Sequence, residues 1–315
     1  MSRFRELFKA MPALALFGCI GATAAAYAAK WHWLLALFSH FHMQYVMVLL
    51  TVTLFYAWQR RFLGLSIAVI CGGLNVLPIT NVFATDADTQ TSRTEPWVLF
   101  SANLHGNNNN VAAVLDQLAA EQATVVVLQE YTFRWASDLA RLRDQYPHHV
   151  EFPRDDNFGL ALYSRWPLVS AEAISLGGST AAIVADLESP NGPLRIITVH
   201  LRPPLSEDWA AQQTRQFDAL TEFAIQADIP LAVAGDFNAT PWSPNFKRWI
   251  DTARLQNGIQ SGGPAYTWPT GLPIFRIPID ACVVNNGLRV IAQRRGSPLG
   301  SDHYPLVTTL VTSHD

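Results

Sequence analysis

The sequence predicts an all-α membrane region followed by an α/β domain of two packed, mainly antiparallel sheets flanked by helices. Three observations lead there. Residues 1–85 carry only seven charged side chains (Arg3, Arg5, Glu6, Lys9, Lys30, Arg60, Arg61), and residues 86–315 carry the other forty. The first part is made of long uncharged runs, whereas the second alternates short β-rich runs with a few amphipathic stretches. At 15% charged residues, the 315-residue chain falls well below the roughly 25% of an ordinary soluble domain, so one uniform soluble domain is excluded.

Ala10–Ala29 runs for 20 residues without Asp, Glu, Lys or Arg, Trp31–Gln59 for 29 and Phe62–Thr85 for 24. About 20 apolar residues cross a bilayer core. Three spanning helices are therefore expected, the middle one using Gln44–Trp58 and leaving Trp31–His42 near an interface. Trp31, Trp33, Tyr45, Tyr56 and Trp58 suit an interfacial aromatic belt. His32, His40 and His42 stand among them, as interfacial side chains or as metal ligands.

Arg3, Arg5 and Lys9 precede the first run, and Arg60–Arg61 separates the second from the third, so both clusters fall on one side of a three-pass chain. Short cytoplasmic segments retain Lys and Arg, which puts residues after about Thr85 outside the cytoplasm, in a bacterium on the periplasmic side of the inner membrane. A signal peptide cleaved after Ala26-Tyr27-Ala28 is the alternative, and it leaves the same outward-facing domain. No run contains a membrane-embedded Asp, Glu, Lys or Arg, which speaks against transport. Cys282 is the only cysteine after residue 85, so the outer domain has no internal disulfide.

The boundaries follow: a transmembrane region over 1–85, a polar linker without hydrophobic pattern over 86–96, and the α/β domain over 97–315. β-branched density between turn signals predicts strands at Trp97–Asn103, Thr124–Gln129, Gly159–Tyr163, Leu168–Leu176 and Ala181–Glu188. The same signal recurs at Leu194–His200, Leu231–Gly235, Ile279–Val284, Arg289–Arg294 and Tyr304–Val311. Helices are predicted at Asn110–Glu121, with Val111, Val114, Leu115 and Leu118 on one face, and at Ser206–Ala227. Residues 86–315 hold sixteen basic and twenty-four acidic residues, a net charge of −8, with Lys247 the sole lysine. The basic stripe of a nucleic-acid binder is missing.

Polar residues at the ends of buried strands are the informative ones. Val125–Leu128 runs into Gln129-Glu130, and Leu231–Ala234 into Gly235-Asp236-Phe237-Asn238. Val98–Ser101 leads to Asn103, Ile196–Val199 to His200, Ile277–Ile279 to Asp280, and Ser301-Asp302-His303 introduces the last strand. Singly, each is a cap, a turn or a satisfied structural residue. Together, two carboxylates and an amide at strand ends offer hard oxygen ligands of the kind Mg²⁺ takes alongside water and substrate phosphate.

In this order Ser101-Ala102-Asn103, Leu128-Gln129-Glu130, Gly159–Leu168, Thr198-Val199-His200-Leu201, Gly235-Asp236-Phe237-Asn238, Ile279-Asp280 and Ser301-Asp302-His303 resemble the endonuclease/exonuclease/phosphatase superfamily of DNase I-like phosphoesterases. The pieces span about residues 97–311, and the Gly-Asp-Phe-Asn and Ser-Asp-His pieces are specific as a pair. The resemblance implies a four-layer α/β sandwich and metal-dependent hydrolysis of a phosphodiester or phosphomonoester by in-line water attack. It implies Mg²⁺, or Mn²⁺, on Glu130, with Asn103 and Asp302 as further ligands or ligand-orienting groups. Asp236 and Asn238 would orient the water and hold the phosphate, His303 would contact the phosphate or act as acid–base with Asp280 fixing its tautomer, and His200 would protonate the leaving oxygen. Asn103, Asn238 and His200 would also bind substrate.

Either Asp236 or His303 can be the base. Leu201–Leu205 and Tyr266–Pro269 are rim segments or rigid loops. The partners expected are a membrane bilayer and a phosphoester, whether lipid head group, nucleic acid or small molecule; no protein partner is inferable. The alternative is a catalytically inactive, membrane-associated binding or scaffold protein on the same fold.

Overall fold

The computed structural model describes residues 2–82, 94–258 and 263–313, with side chains from Ala10 onward. Most of the expected linker, residues 86–93, lies outside the described residues.

The N-terminal part consists of α1 (Ser2–Tyr27), α2 (Trp33–Ser39), α3 (His42–Trp58) and α4 (Phe62–Asn81). Two stretches are long and apolar enough to cross a membrane, Ala10–Tyr27 and Phe62–Asn81. The middle run departs from the three-span expectation. It breaks into α2 and α3, bent 59° from one another, so a third span exists only if that pair counts as one. The cause is a tightening of the last turn of α2, where the N–H groups of His40 and Phe41 bond three residues back to Leu37 and Phe38.

Leu16, Leu49, Val52, Tyr56 and Ala68 form the core of this part, while Leu14, Phe17, Leu54 and Leu63 are exposed. The few buried polar groups satisfy one another. Asn75 Nδ2 donates to Thr23 Oγ1 at 2.7 Å and to the Cys71 carbonyl at 2.9 Å, and its Oδ1 meets His42 Nδ1 at 2.7 Å. His32 Nδ1 accepts the Leu34 N–H and so caps α2. Both histidines have helix-tying work without a metal.

The remainder builds two six-stranded sheets. The first contains β1 (Trp97–Asn103), β2 (Val125–Gln129), β3 (His148–Phe152), β4 (Leu160–Ser164), β11 (Leu288–Arg295) and β12 (Leu306–Thr312), in the order β11-β12-β1-β2-β4-β3. The second contains β5 (Leu168–Ser175), β6 (Ala181–Ser189), β7 (Gly192–His200), β8 (Leu231–Asp236), β9 (Gln256–Asn257) and β10 (Asp280–Val284), in the order β5-β6-β7-β8-β10-β9. Among the described residues, only β1–β2 and β7–β8 pair in parallel.

Period-two alternation sends Leu99, Val127 and Leu162 of the first sheet to meet Ile183, Ile196 and Ala234 of the second. The opposite faces are covered by helices. Phe100, Val126 and Leu128 pack with Val114 and Leu118 of α5 (Val111–Glu121). Ile197 and Val233 pack with Phe217 of α8 (Glu207–Ile225) and with Phe246 and Trp249 of α9 (Pro244–Ala253). Burial on both faces makes the central strands continuous apolar runs. The result is the four-layer sandwich. Asn110 and Ser206 start α5 and α8 as side-chain N-caps.

This topology explains why so many site residues converge. The carboxyl ends of β1, β2, β7 and β8 share an edge with the beginnings of their antiparallel partners β10 and β12. Asp280 therefore opens β10, opposite Asp236 in register, which agrees with the strand predicted over Ile279–Val284 and departs from the reading of Ile277–Ile279 as a strand that ends in Asp280. Asp302 and His303 likewise arrive just ahead of β12.

Candidate active site

Asp236 is the hub. It is 1% exposed at the end of β8, in parallel register with His200 and antiparallel register with Asp280. Its Oδ2 accepts a hydrogen bond from Asn103 Nδ2 at 3.1 Å and lies 3.4 Å from His200 Nε2 and 3.7 Å from His303 Nε2. Its Oδ1 accepts the Asn238 N–H at 2.8 Å. Burial, and Asp280 beside it, push the carboxyl pKa up against the pull of the two histidines.

Each imidazole has a defined orientation. His303 Nδ1 lies 2.8 Å from Asp280 Oδ2, so Nδ1 donates and Nε2 turns to Asp236. Burial alone would lower the His303 pKa, but Asp280 and Asp236 outweigh it and raise it to about 10, leaving an imidazolium at neutral pH. His200 Nδ1 faces the Asn157 carbonyl at 2.9 Å, which can only accept, so its Nε2 is likewise directed at Asp236. The ring of Phe158 sits 4.9 Å from that imidazole.

Asn103 links the two halves of the site. Its Nδ2 donates to Glu130 Oε1 at 3.2 Å as well as to Asp236, and its Oδ1 accepts the His105 N–H at 3.0 Å. That network leaves only one assignment of amide oxygen and nitrogen. Asn103 thus stands as a carboxylate-orienting group, with its oxygen already engaged. Glu130 Oε2 accepts the Gly106 N–H at 2.9 Å. Asp302 accepts from Trp268 Nε1 at 3.0 Å and pairs with His105 Nδ1 at 3.0 Å. Burial would raise the Asp302 pKa; His303, Trp268 and His105 together hold it below the usual carboxylate value.

Glu130 (φ 53°), Asn238 (φ 48°), His105 (φ 58°) and Asn157 (φ 68°) all lie in the left-handed region. Each costs of order 1–3 kcal/mol, and such strain collects where a site must be held in shape. The surroundings enforce it. Asn238 Nδ2 bonds the Leu201 carbonyl at 2.9 Å. From α8, Gln213 donates to the carbonyls of Arg202, Phe237 and Asn238, and Gln216 accepts the Arg202 N–H. His105, the Asn157 carbonyl, Gln213 and Gln216 carry no motif signal in the sequence. Trp268 lay within a segment read as rim or packing.

Gly235 shows how tightly this edge is built. Its φ is +147°, and a Cβ there would stand 2.0 Å from the Val199 carbonyl oxygen. Gly235→Ala is expected to destabilise the α/β part by about 3 kcal/mol through backbone strain and displacement of β7 from β8. Denaturant unfolding of the variant measures the loss, and an unchanged midpoint refutes the assignment.

Buried carboxylates, paired imidazoles and a bridging amide thus meet at one edge of a four-layer sandwich. Residues 100–303 match the model of the Endonuclease/Exonuclease/phosphatase family, and the chain belongs to that family. No curated protein matches it. Among solved structures, it is similar to a Danio rerio TDP2 humanized by 14 mutations, with 17% identity over 69% of this chain and 99% of that one and a TM-score of 0.58. It is also similar to an endonuclease/exonuclease/phosphatase from Beutenbergia cavernae, with 20% identity over 70% and 72% of the two chains and a TM-score of 0.58. The human Nocturnin catalytic domain with bound sulfate gives 22% identity over 69% and 95% and a TM-score of 0.57. At these identities the likeness is one of fold.

Proposed function

We propose that this protein is a membrane-anchored, extracytoplasmic phosphoesterase that hydrolyses its substrate by in-line water attack with a bound divalent cation, Mg²⁺ or Mn²⁺. The observation that carries the reading is the convergence of His200 Nε2, His303 Nε2 and Asn103 Nδ2 on one buried oxygen of Asp236.

The donor chemistry fits the cation. Each Glu130 oxygen accepts one N–H and keeps further lone pairs for a hard ion, and Asp302 is ionised beside it. Among the described residues, Asp236, Asp280 and His303 are the one group of three whose donor atoms fall within 4.8 Å. That group also forms a proton network, with His303 Nδ1 on Asp280 Oδ2 at 2.8 Å and its Nε2 turned to Asp236. Glu130, with Asp302 as a further ligand, would hold the cation, which would supply charge neutralisation for the phosphoryl oxygens.

Asp236 accepts the proton of the attacking water, and Asn238, fixed by Asp236 and Leu201, positions that water. His303 presents its Nε2–H to the phosphoryl oxygens, where negative charge develops. His200, when doubly protonated with Nδ1–H on the Asn157 carbonyl, gives its Nε2 proton to the leaving oxygen, and the proton that Asp236 takes from water returns to His200 Nε2, 3.4 Å away. The exposed apolar side chains of the N-terminal helices support the anchor, and the outward orientation takes the α2–α3 pair as one span, since three crossings put Arg3, Arg5, Lys9, Arg60 and Arg61 on one side and the α/β part on the other.

The test is turnover by the full chain in lipid nanodiscs, with phospholipids, single- and double-stranded DNA and a soluble bis-aryl phosphodiester as substrates. Hydrolysis of at least one is expected with Mg²⁺, falling at least about tenfold in EDTA and recovering with added metal. Absence of turnover across the whole set by a metal-loaded protein refutes the proposal and favours the binding-protein alternative.

A further inference from the structure

Large apolar side chains exposed on the α/β part are concentrated at the edge that carries the site. Leu272, Ile274 and Phe275 are 57%, 66% and 54% exposed on one loop, between the bridge partners Trp268 and Ile277. Phe133, the first residue of the short helix after Glu130, and Leu205, on the loop after His200, are also exposed. Clusters of this kind mark interaction surfaces.

The loop is held out as a stiff tip. Pro273 begins a short 3₁₀ turn closed by the Phe275 N–H on the Leu272 carbonyl. At its base Arg276 donates to the carbonyls of Pro269 and Thr270, with its guanidinium 4.8 Å over the Tyr304 ring. The same base is bonded to the site: Trp268 Nε1 and the Thr270 N–H both reach Asp302, and Thr270 Oγ1 reaches the Ser301 carbonyl. Whatever receives the tip is thereby registered against Asp302 and His303.

Charge narrows the occupant. Residues 252–279 contain no Asp or Glu and two arginines, Arg254 and Arg276, in a part of the chain whose net charge is −8. An apolar, acid-free tip on an otherwise acidic domain fits the anionic head-group boundary of a bilayer. A bilayer is also at hand, since the same chain carries two helices able to cross one.

We propose that the 270–276 loop docks on the lipid surface through Leu272, Ile274 and Phe275, and that the substrate is a phosphoester carried by a membrane lipid. This rests on the phosphoesterase reading, yet the docking is measured without it. The three native cysteines are buried, so Phe275→Cys can be labelled with an environment-sensitive fluorophore in the full chain, with Val169→Cys on β5 as the exposed control. In nanodiscs containing phosphatidylglycerol, spin-labelled lipids are expected to quench the label at 275 and spare the one at 169.

Ile274→Glu with Phe275→Glu is expected to lower turnover of vesicle-borne lipid phosphoester by about tenfold or more, while turnover of a soluble phosphodiester stays within about twofold. Equal quenching at both labels overturns the docking. An apolar shift of the 275 label that appears only as protein density rises assigns the tip to a second copy and overturns it too. Equal loss on both substrates overturns the lipid assignment. Quenching at 275 in a protein that hydrolyses nothing supports the docking and removes the phosphoesterase reading alone.

Discussion

Asp236→Asn is expected to lower kcat/KM for phosphoester hydrolysis by about 10³-fold while leaving the fold intact. The substitution keeps the shape of the side chain and an oxygen able to accept the Asn238 N–H, now 2.8 Å from Asp236. It removes the one anionic oxygen that His200, His303 and Asn103 share, and with it the proton acceptor for water. On stability two effects oppose one another. Folding raises the Asp236 pKa, burial being the largest cause, so its ionised form costs stability once pH exceeds the unfolded-state value. A neutral amide escapes that cost but forfeits the acceptor of Asn103 Nδ2 and a counter-charge of His303, so the melting temperature at neutral pH should stay close to the parent's. Steady-state kinetics beside thermal melts separate the catalytic effect from the effect on stability. Turnover within about tenfold of the parent refutes the base assignment.

The same residue shows what was legible beforehand. Asp236, Asn238, Glu130, His200 and His303 lie in short motifs beside buried apolar runs, where a polar side chain is costly enough to stand out. Their convergence followed from strand polarity, and Asp280 was found at the beginning of a strand because β10 runs against β8. Groups acting through the main chain were invisible: the Asn157 carbonyl has no side-chain signature, and His105 earns its place through a left-handed backbone conformation. Gln213 and Gln216 carry no sequence signal, yet both are buried on α8 and tie down the loops after β7 and β8.

Fold elements were missed for a related reason. β3 is half-buried along its whole length, so it lacks alternation, and it is defined by pairing with β4 alone. The two-residue β9 is shorter than any pattern window. α6 (Phe133–Asp138) and α7 (Leu142–Gln145) are too short for a helical period. In the N-terminal part, lack of charge measured apolar length correctly but carried no information on the bend between α2 and α3, which arises from backbone geometry at His40 and Phe41.

Asp280→Asn is expected to lower kcat at pH 7 by about 10²-fold and to move the alkaline limb of the pH–rate profile toward neutrality by at least about one unit. His303 is buried, which by itself disfavours its cation; Asp280 at 2.8 Å and Asp236 at 3.7 Å carry its pKa to about 10. With Asp280 neutralised, the nearer counter-charge is lost and burial regains weight, so the imidazolium gives up its proton earlier as pH rises. The linked stability has the same direction. A histidine whose pKa is raised by folding stabilises fully below its ordinary value of 6.5 and loses that contribution as pH climbs through about 10. The parent should therefore lose melting temperature across that window, and Asp280→Asn should lose less of it, having less to lose. His303→Asn should abolish the limb. An Asp280→Asn limb that stays near pH 10 would show that the ionisation governing catalysis belongs to another group, because no other carboxylate in the structure hydrogen-bonds His303 Nδ1 among the described residues.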